Sequence, residues 1–246
     1  MSHANFIHLR NHSGYSLLEG ALKVKDLVKR TKDLDMPAVA ITDTGNLFGA
    51  LEFSSACSSN GIQPIIGTQL EVTPFHSSGD YEGFGSDRKQ VPIGEPDQIV
   101  LLAQNKIGYA NILKLVSDFH LEPDGNADPR ISIDHLKHYN DGIIAFTGGS
   151  KGGVGRLLAE GQNEAAETLL KILKKIYGDR LYVEIQRHNL NIEHLIEGPL
   201  IDLAYRYDLP LIATNECFFD TEDIFYAHDA LICISAGTYV DQSERR

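Results

Sequence analysis

An α/β fold with a mostly parallel sheet is predicted by three observations on this 246-residue chain. Short apolar or β-branched runs recur along its whole length. Most are nearly continuous rather than alternating, as in strands covered on both faces. Segments of helical period lie between them. In order, the strand candidates are Phe6–Arg10, Ala38–Thr42, Pro64–Val72, Ile99–Gln104, Gly142–Thr147, Leu181–Gln186 and Leu209–Thr214. Among the helices, Val24–Leu34 sets Leu27, Val28, Thr31 and Leu34 on one face. Glu164–Tyr177 has the clearest stripe, made by Leu169, Leu173, Ile176 and Tyr177. Asn163 is its expected cap, and Lys174 and Lys175 sit at its negative end. Alternation of this kind suits a parallel barrel or an open sheet and does not separate them. Two stretches break the rhythm: Phe75–Asp97, rich in Gly, Ser and charge, and Phe119–Arg130, with two prolines beside Asp, Gly and Asn. Both are expected to be surface loops.

Composition narrows the function classes. The chain is 42% apolar and 23% charged, ordinary for a globular protein. It has no apolar run of membrane-spanning length, and MSHANFIHLR lacks the pattern of a secretory signal. Cys57, Cys217 and Cys233 are odd in number and share no short spacing, so reduced thiols and a cytoplasmic location are expected. The formal charge is −12, and no basic stripe is visible. A nucleic-acid grip needs Lys and Arg to neutralise phosphates, so binding DNA is not expected as this region's own main task. The closing YVDQSERR carries charge without a stop signal, as at a domain boundary. One domain over 1–246, at the start of a much longer chain, is the expected organisation.

The chemistry is concentrated in FIHLRNHSGYSLLEG (6–20) and AVAITDTGNLFGA (38–50). A strand ending in His-x-His-Ser, followed by one ending in Thr-Asp-His-Gly-Asn, marks the PHP (polymerase and histidinol phosphatase) family. This chain resembles that family in both segments, with Arg10 for the first histidine and Thr44 for the later one. LDMPAVAITD, GNLFGALEF and GIQPIIG are similar to the branch at the N-terminus of bacterial DNA polymerase III alpha subunits. The resemblance covers essentially the whole chain, and it implies a distorted (β/α)7 barrel resembling a TIM barrel.

In active PHP domains, ligands at the C-terminal ends of the strands hold a metal cluster that activates water against a phosphodiester. Carried over position by position, the resemblance makes Arg10 the first ligand position. A guanidinium has no lone pair for a cation. His12 is the intact second position, and Glu19 is an acid that still ligates in principle. Thr44 offers a weak neutral hydroxyl, and Gln69 replaces a glutamate. Gln98 stands where a histidine opens a strand, Gly149 where a Cys or His follows one. The final Asp-x-His pair reads Glu216-Cys217-Phe218, in which Phe218 has no donor. Asp43 lies on the same rim. A metal cluster is therefore not expected, and these positions are expected to be vestigial. Glu19, Asp43 and Glu216 are expected to crowd together, with Arg10 as a built-in cation paired to at least one of them.

Other residues are read as structural. His135, His138, His188 and His194 fit surface or core imidazoles, and His188 follows a strand in EIQRH. A rebuilt metal site would draw on His8, His12, His188, Asp43 and Glu216. GGSKGGVGR (148–156) lacks the Gly-Lys-Ser/Thr ending of a phosphate loop and is expected to be a turn into a helix.

Two function classes follow from the resemblance. One is a catalytically silent module that supports a DNA polymerase, docks its proofreading exonuclease and other holoenzyme subunits, and meets DNA through the parent chain. The polymerase chemistry and its Mg2+ then belong to a downstream domain. The other is a metal-dependent PHP phosphoesterase with 3′→5′ exonuclease or pyrophosphatase activity. A stand-alone small-phosphate hydrolase is disfavoured by the polymerase-like wording of the motifs. No catalytic residue, metal or cofactor is expected in this region, and no membrane partner.

Overall fold

The computed structural model describes residues 4–75, 95–121 and 129–242. In chain order the elements are α1 (Val24–Asp33), β1 (Ala38–Ile41), α2 (Ala50–Ser59), β2 (Gln63–Val72), β3 (Asp97–Ala103), α3 (Lys106–Leu121), α4 (Ile133–His138) and β4 (Ile143–Phe146). Then come α5 (Gly153–Ala159), α6 (Asn163–Tyr177), β5 (Leu181–Ile185), α7 (Asn191–Arg206), β6 (Leu211–Ala213) and α8 (Phe225–Ala236). The fold class is α/β, and sheet order follows chain order from β1 to β6. Pairing is parallel for β1–β2, β4–β5 and β5–β6, and antiparallel for β3–β4.

Two compact units make up the chain: Met1–Gln69 with Thr214–Arg246, and Leu70–Ala213. In the first, β1 is buried at every position, as its unbroken apolar run requires. Leu22, Val24, Leu27, Val28, Val39, Ile41, Phe53, Cys57 and Ile62 form its core. The apolar stripe of α1 buries Val24, Leu27, Val28 and Thr31, with Asp26 in its first turn and Arg30 and Lys32 in its last. Leu34, expected on that face, lies past the helix end and is exposed. In the second unit, α6 buries Leu169, Leu170, Leu173 and Tyr177.

Several expectations need correction. Phe6–Arg10 is not a strand of the sheet. Its neighbours are reached by single bonds: Ala40 N donates to His8 O at 2.9 Å, and Cys217 N to Arg10 O at 3.2 Å. Asn11 interrupts the pattern, because its Nδ2 donates to Ala40 O (2.9 Å) and its N donates to Thr42 Oγ1 (3.0 Å). Side chains thus take bonds that a backbone ladder would use. Asn163 is the first helical residue of α6 rather than its cap, and Gln162 precedes it without a capping bond. The expected loops have tighter edges, since Phe119–Leu121 completes α3 and Asp97 opens β3. Most of both loops, 76–94 and 122–128, and the terminal 243–246 lie outside the described residues. Cys57, Cys217 and Cys233 are free thiols. Among the described residues no helix is long and apolar enough to cross a membrane.

Candidate functional site

Most of the singled-out residues meet in the first unit, where the segment from Arg10 to Leu22 folds back on itself. Gly14 N donates to Leu22 O at 2.8 Å, and Gly20 N to Ser16 O at 2.9 Å. A Cβ at Gly20 would lie 2.0 Å from Ser13 O, so the turn closes only around glycine. This loop sets His12, Ser13, Ser16 and Glu19 against the ends of β1 and β2.

At the centre is Arg10, fully buried. Its Nε and Nη2 donate to Gln69 Oε1 at 3.1 and 2.6 Å, and Nη2 also donates to Glu216 Oε1 at 3.0 Å. Gln69 is fixed through its backbone, with Gly45 N on its carbonyl at 2.8 Å and its own N on Asp43 O at 3.2 Å. A buried guanidinium is tolerated only where its charge is paired and its N–H groups find acceptors. The expected pairing of Arg10 with one of three acids is met by Glu216.

The other two acids are held differently. Asp43 accepts from Ser13 N (2.6 Å) and Ser13 Oγ (2.8 Å), and from Ser16 Oγ (2.7 Å). Glu19 Oε2 accepts from Thr44 Oγ1 at 2.7 Å. Glu19 and Asp43 thus accept from local hydroxyls, and Glu216 from Arg10. His12, also fully buried, has Nδ1 3.3 Å from both Ser16 Oγ and Thr44 Oγ1. Its Nε2 lies 3.3 Å from Glu216 Oε1 yet makes no hydrogen bond. Phe218 stacks on the imidazole, centroids 4.5 Å apart at 12°.

His8 does not join this network. Its Nδ1 is 3.6 Å from Cys217 Sγ. Burial lowers the His8 pKa, while burial and then the Glu216 charge lift the Cys217 thiol to about 11. Both groups are therefore neutral at ordinary pH, and the pair is not an activated nucleophile.

Gln98, Gly149 and His188 belong to the second unit. Gln98 is half-buried in β3. Gly149 has φ +61°, and a Cβ there would lie 2.4 Å from Gln186 Oε1, so the space of a ligand side chain is already filled. The 148–156 segment is a short 3-10 turn leading into α5, as its sequence indicates. His188 N and Nδ1 each lie 2.7 Å from the Glu193 carboxylate, which also accepts from Leu190 N at 3.1 Å. Burial pushes the Glu193 pKa up, but the bonds from His188 and the Leu190 and His188 backbone outweigh it, leaving the pKa below normal. His194 Nε2 is 3.2 Å from Asn189 Oδ1, and His135 completes the capping box of α4. His138 stacks edge-on against Tyr139, centroids 4.5 Å apart.

As arranged, these residues do not fit a metal cluster. Lone pairs must converge on each ion, and here Asp43 spends its own on Ser13 and Ser16 while Arg10 sets a fixed positive charge beside Glu216. Among the described residues no group of three or more His, Cys, Asp or Glu has metal-holding geometry. Sequence reasoning missed Ser13 and Ser16 as donors to Asp43, although their spacing after His12 in HSGYS places them for it. It also missed Gln69 as the acceptor for Arg10, reading it only as a lost glutamate, and Gln186, read only as a strand end, as the side chain beside Gly149.

The chain belongs to the PHP domain family, which matches residues 8–188. It is similar to the DNA polymerase III subunit alpha of Caulobacter vibrioides, at 39% identity over 98% of this chain. It is also similar to the subunit of that name from Mycobacterium leprae, at 31% identity over 100%. The chain spans about a fifth of the length of these curated relatives (20% and 21%). Among solved structures, an amidohydrolase from Chromobacterium violaceum superposes with a TM-score of 0.55 at 15% identity, covering 93% of this chain and 97% of that one. A protein from Bifidobacterium adolescentis assigned as a metal-dependent phosphoesterase gives 0.53 at 14%, covering 86% and 87%. These likenesses show the fold.

Proposed function

We propose that this chain is the PHP domain of a DNA polymerase III alpha-type polypeptide, and that it serves as a catalytically silent structural and docking module. One observation carries the reading: Arg10, which the resemblance places at the first ligand position, is a buried cation bonded to Gln69 and Glu216. The relatives' names support the polymerase parent. DNA synthesis and its Mg2+ would then reside elsewhere in the parent chain, in the cytoplasm. Partners would be the rest of the polymerase, the proofreading exonuclease and other holoenzyme subunits, with DNA met through the parent.

The competing reading is a metal-dependent phosphoesterase, the activity assigned to the Bifidobacterium protein of the same fold. Elemental analysis of the dialysed chain, beside a single-stranded primer degradation assay with Mn2+, separates the two. The module reading expects less than one Zn, Mn or Fe per chain and no nuclease activity. Two or more such ions per chain, with degradation abolished by His12→Ala, would establish the phosphoesterase instead.

A further inference from the structure

Helix α8, Phe225–Ala236, is built unlike the other helices of this chain. Its apolar residues run round the whole circumference instead of forming a stripe, yet it buries only Cys233. A helix apolar all round belongs inside a larger assembly, and at 12 residues this one is far too short to span a membrane. Inward, it is fixed to the site loop: His228 Nε2 lies 2.7 Å from Glu19 O, and the His228 ring is 5.0 Å from that of Phe219. Outward, Tyr226 is 79% and Ile234 68% exposed, and Tyr239, just beyond the helix, is 76% exposed. Phe225 and Val240 are exposed as well.

The charge pattern points the same way. The chain is 23% charged, but residues 225–240, FYAHDALICISAGTYV, contain Asp229 and no other Asp, Glu, Lys or Arg. Tyrosine and other aromatics without charge are the composition of a desolvated interface centre, not of a solvated face.

We infer that α8 with Tyr239 and Val240 is the docking surface for the part of the same polypeptide that lies outside the matched region. This rests on the polymerase-parent reading above. The relatives carry about four fifths of their length beyond the stretch this chain matches. A covalently joined partner meets the helix at high effective concentration, so an uncharged apolar contact suffices without the charge complementarity that a freely diffusing subunit uses for steering. A second copy of this chain, or the exonuclease, is the alternative occupant.

The test places Tyr226→Cys or Tyr239→Cys in the 246-residue chain and in the full-length polypeptide, and follows maleimide labelling at that position by peptide mass spectrometry. The inference expects labelling at least about tenfold slower in the full-length polypeptide, independent of concentration. A milder change, Ile234→Ser, should leave melting of the 246-residue chain unchanged while lowering that of the full-length one. Equal labelling in both overturns the inference. So does protection that rises with concentration of the 246-residue chain, which assigns the surface to a second copy. Protection that appears only when the exonuclease is added overturns it likewise. Nucleotide incorporation by the full-length polypeptide is scored separately: its absence refutes the polymerase reading, while the labelling still decides what covers α8.

Discussion

Arg10→Ala is the sharpest test of the idea that a guanidinium replaced a metal cluster. The substitution removes donors to Gln69 at 2.6 and 3.1 Å and to Glu216 at 3.0 Å, from a side chain with no exposure. Removing one member of a buried pair leaves the other charge uncompensated, at a typical cost of about 3–5 kcal/mol. Glu216 keeps 9% of its side-chain surface, so water reaches the orphaned carboxylate and the low end applies, about 3 kcal/mol. For a chain of this size that corresponds to a melting drop of roughly 6–12 °C. Arg10→Lys keeps the charge but has a single ammonium in place of the fork, so an intermediate loss is expected. A double-mutant cycle with Glu216→Gln isolates the pair, with a coupling of about 1–3 kcal/mol expected from denaturant unfolding. An Arg10→Ala variant within about 0.5 kcal/mol of the parent, or a coupling near zero, refutes the reasoning.

Two further changes probe the second unit. Gly149→Ala should destabilise by about 1–2 kcal/mol from the left-handed backbone alone, more if Gln186 cannot move from the Cβ position, and thermal melting checks it. The Glu193 pKa is lowered in the fold, so the stability it contributes is present above its unfolded value of 4.5 and is lost as pH falls through the lower folded value. Glu193→Gln should therefore be less stable than the parent at pH 7, with the gap narrowing below about pH 4 in acid titrations of melting temperature.

Local pattern determined the strands and helices that rest on unbroken apolar runs or a 3.6-residue stripe. β1 and α1 fall within a residue of their expected bounds, because burial on both faces, or on one, leaves its mark on consecutive side chains. The identity of Arg10 also determined that this side chain cannot ligate a cation, since no environment gives a guanidinium a lone pair. The sequence could not say where that charge would go. Its contact with Glu216 joins residues 206 positions apart, and only the packing of the segment after β6 beside Arg10 and His12 brings the two together. Asp43 was taken by Ser13 and Ser16, whose donor roles depend on a turn closed at Gly20. Periodicity likewise foretold Phe6–Arg10 as a strand, but Asn11 diverts backbone bonds to side chains, a competition visible only once β1 lies alongside. Ligand chemistry belongs to single residues and can be read one at a time, whereas pairing and register are properties of segments brought together from across the chain.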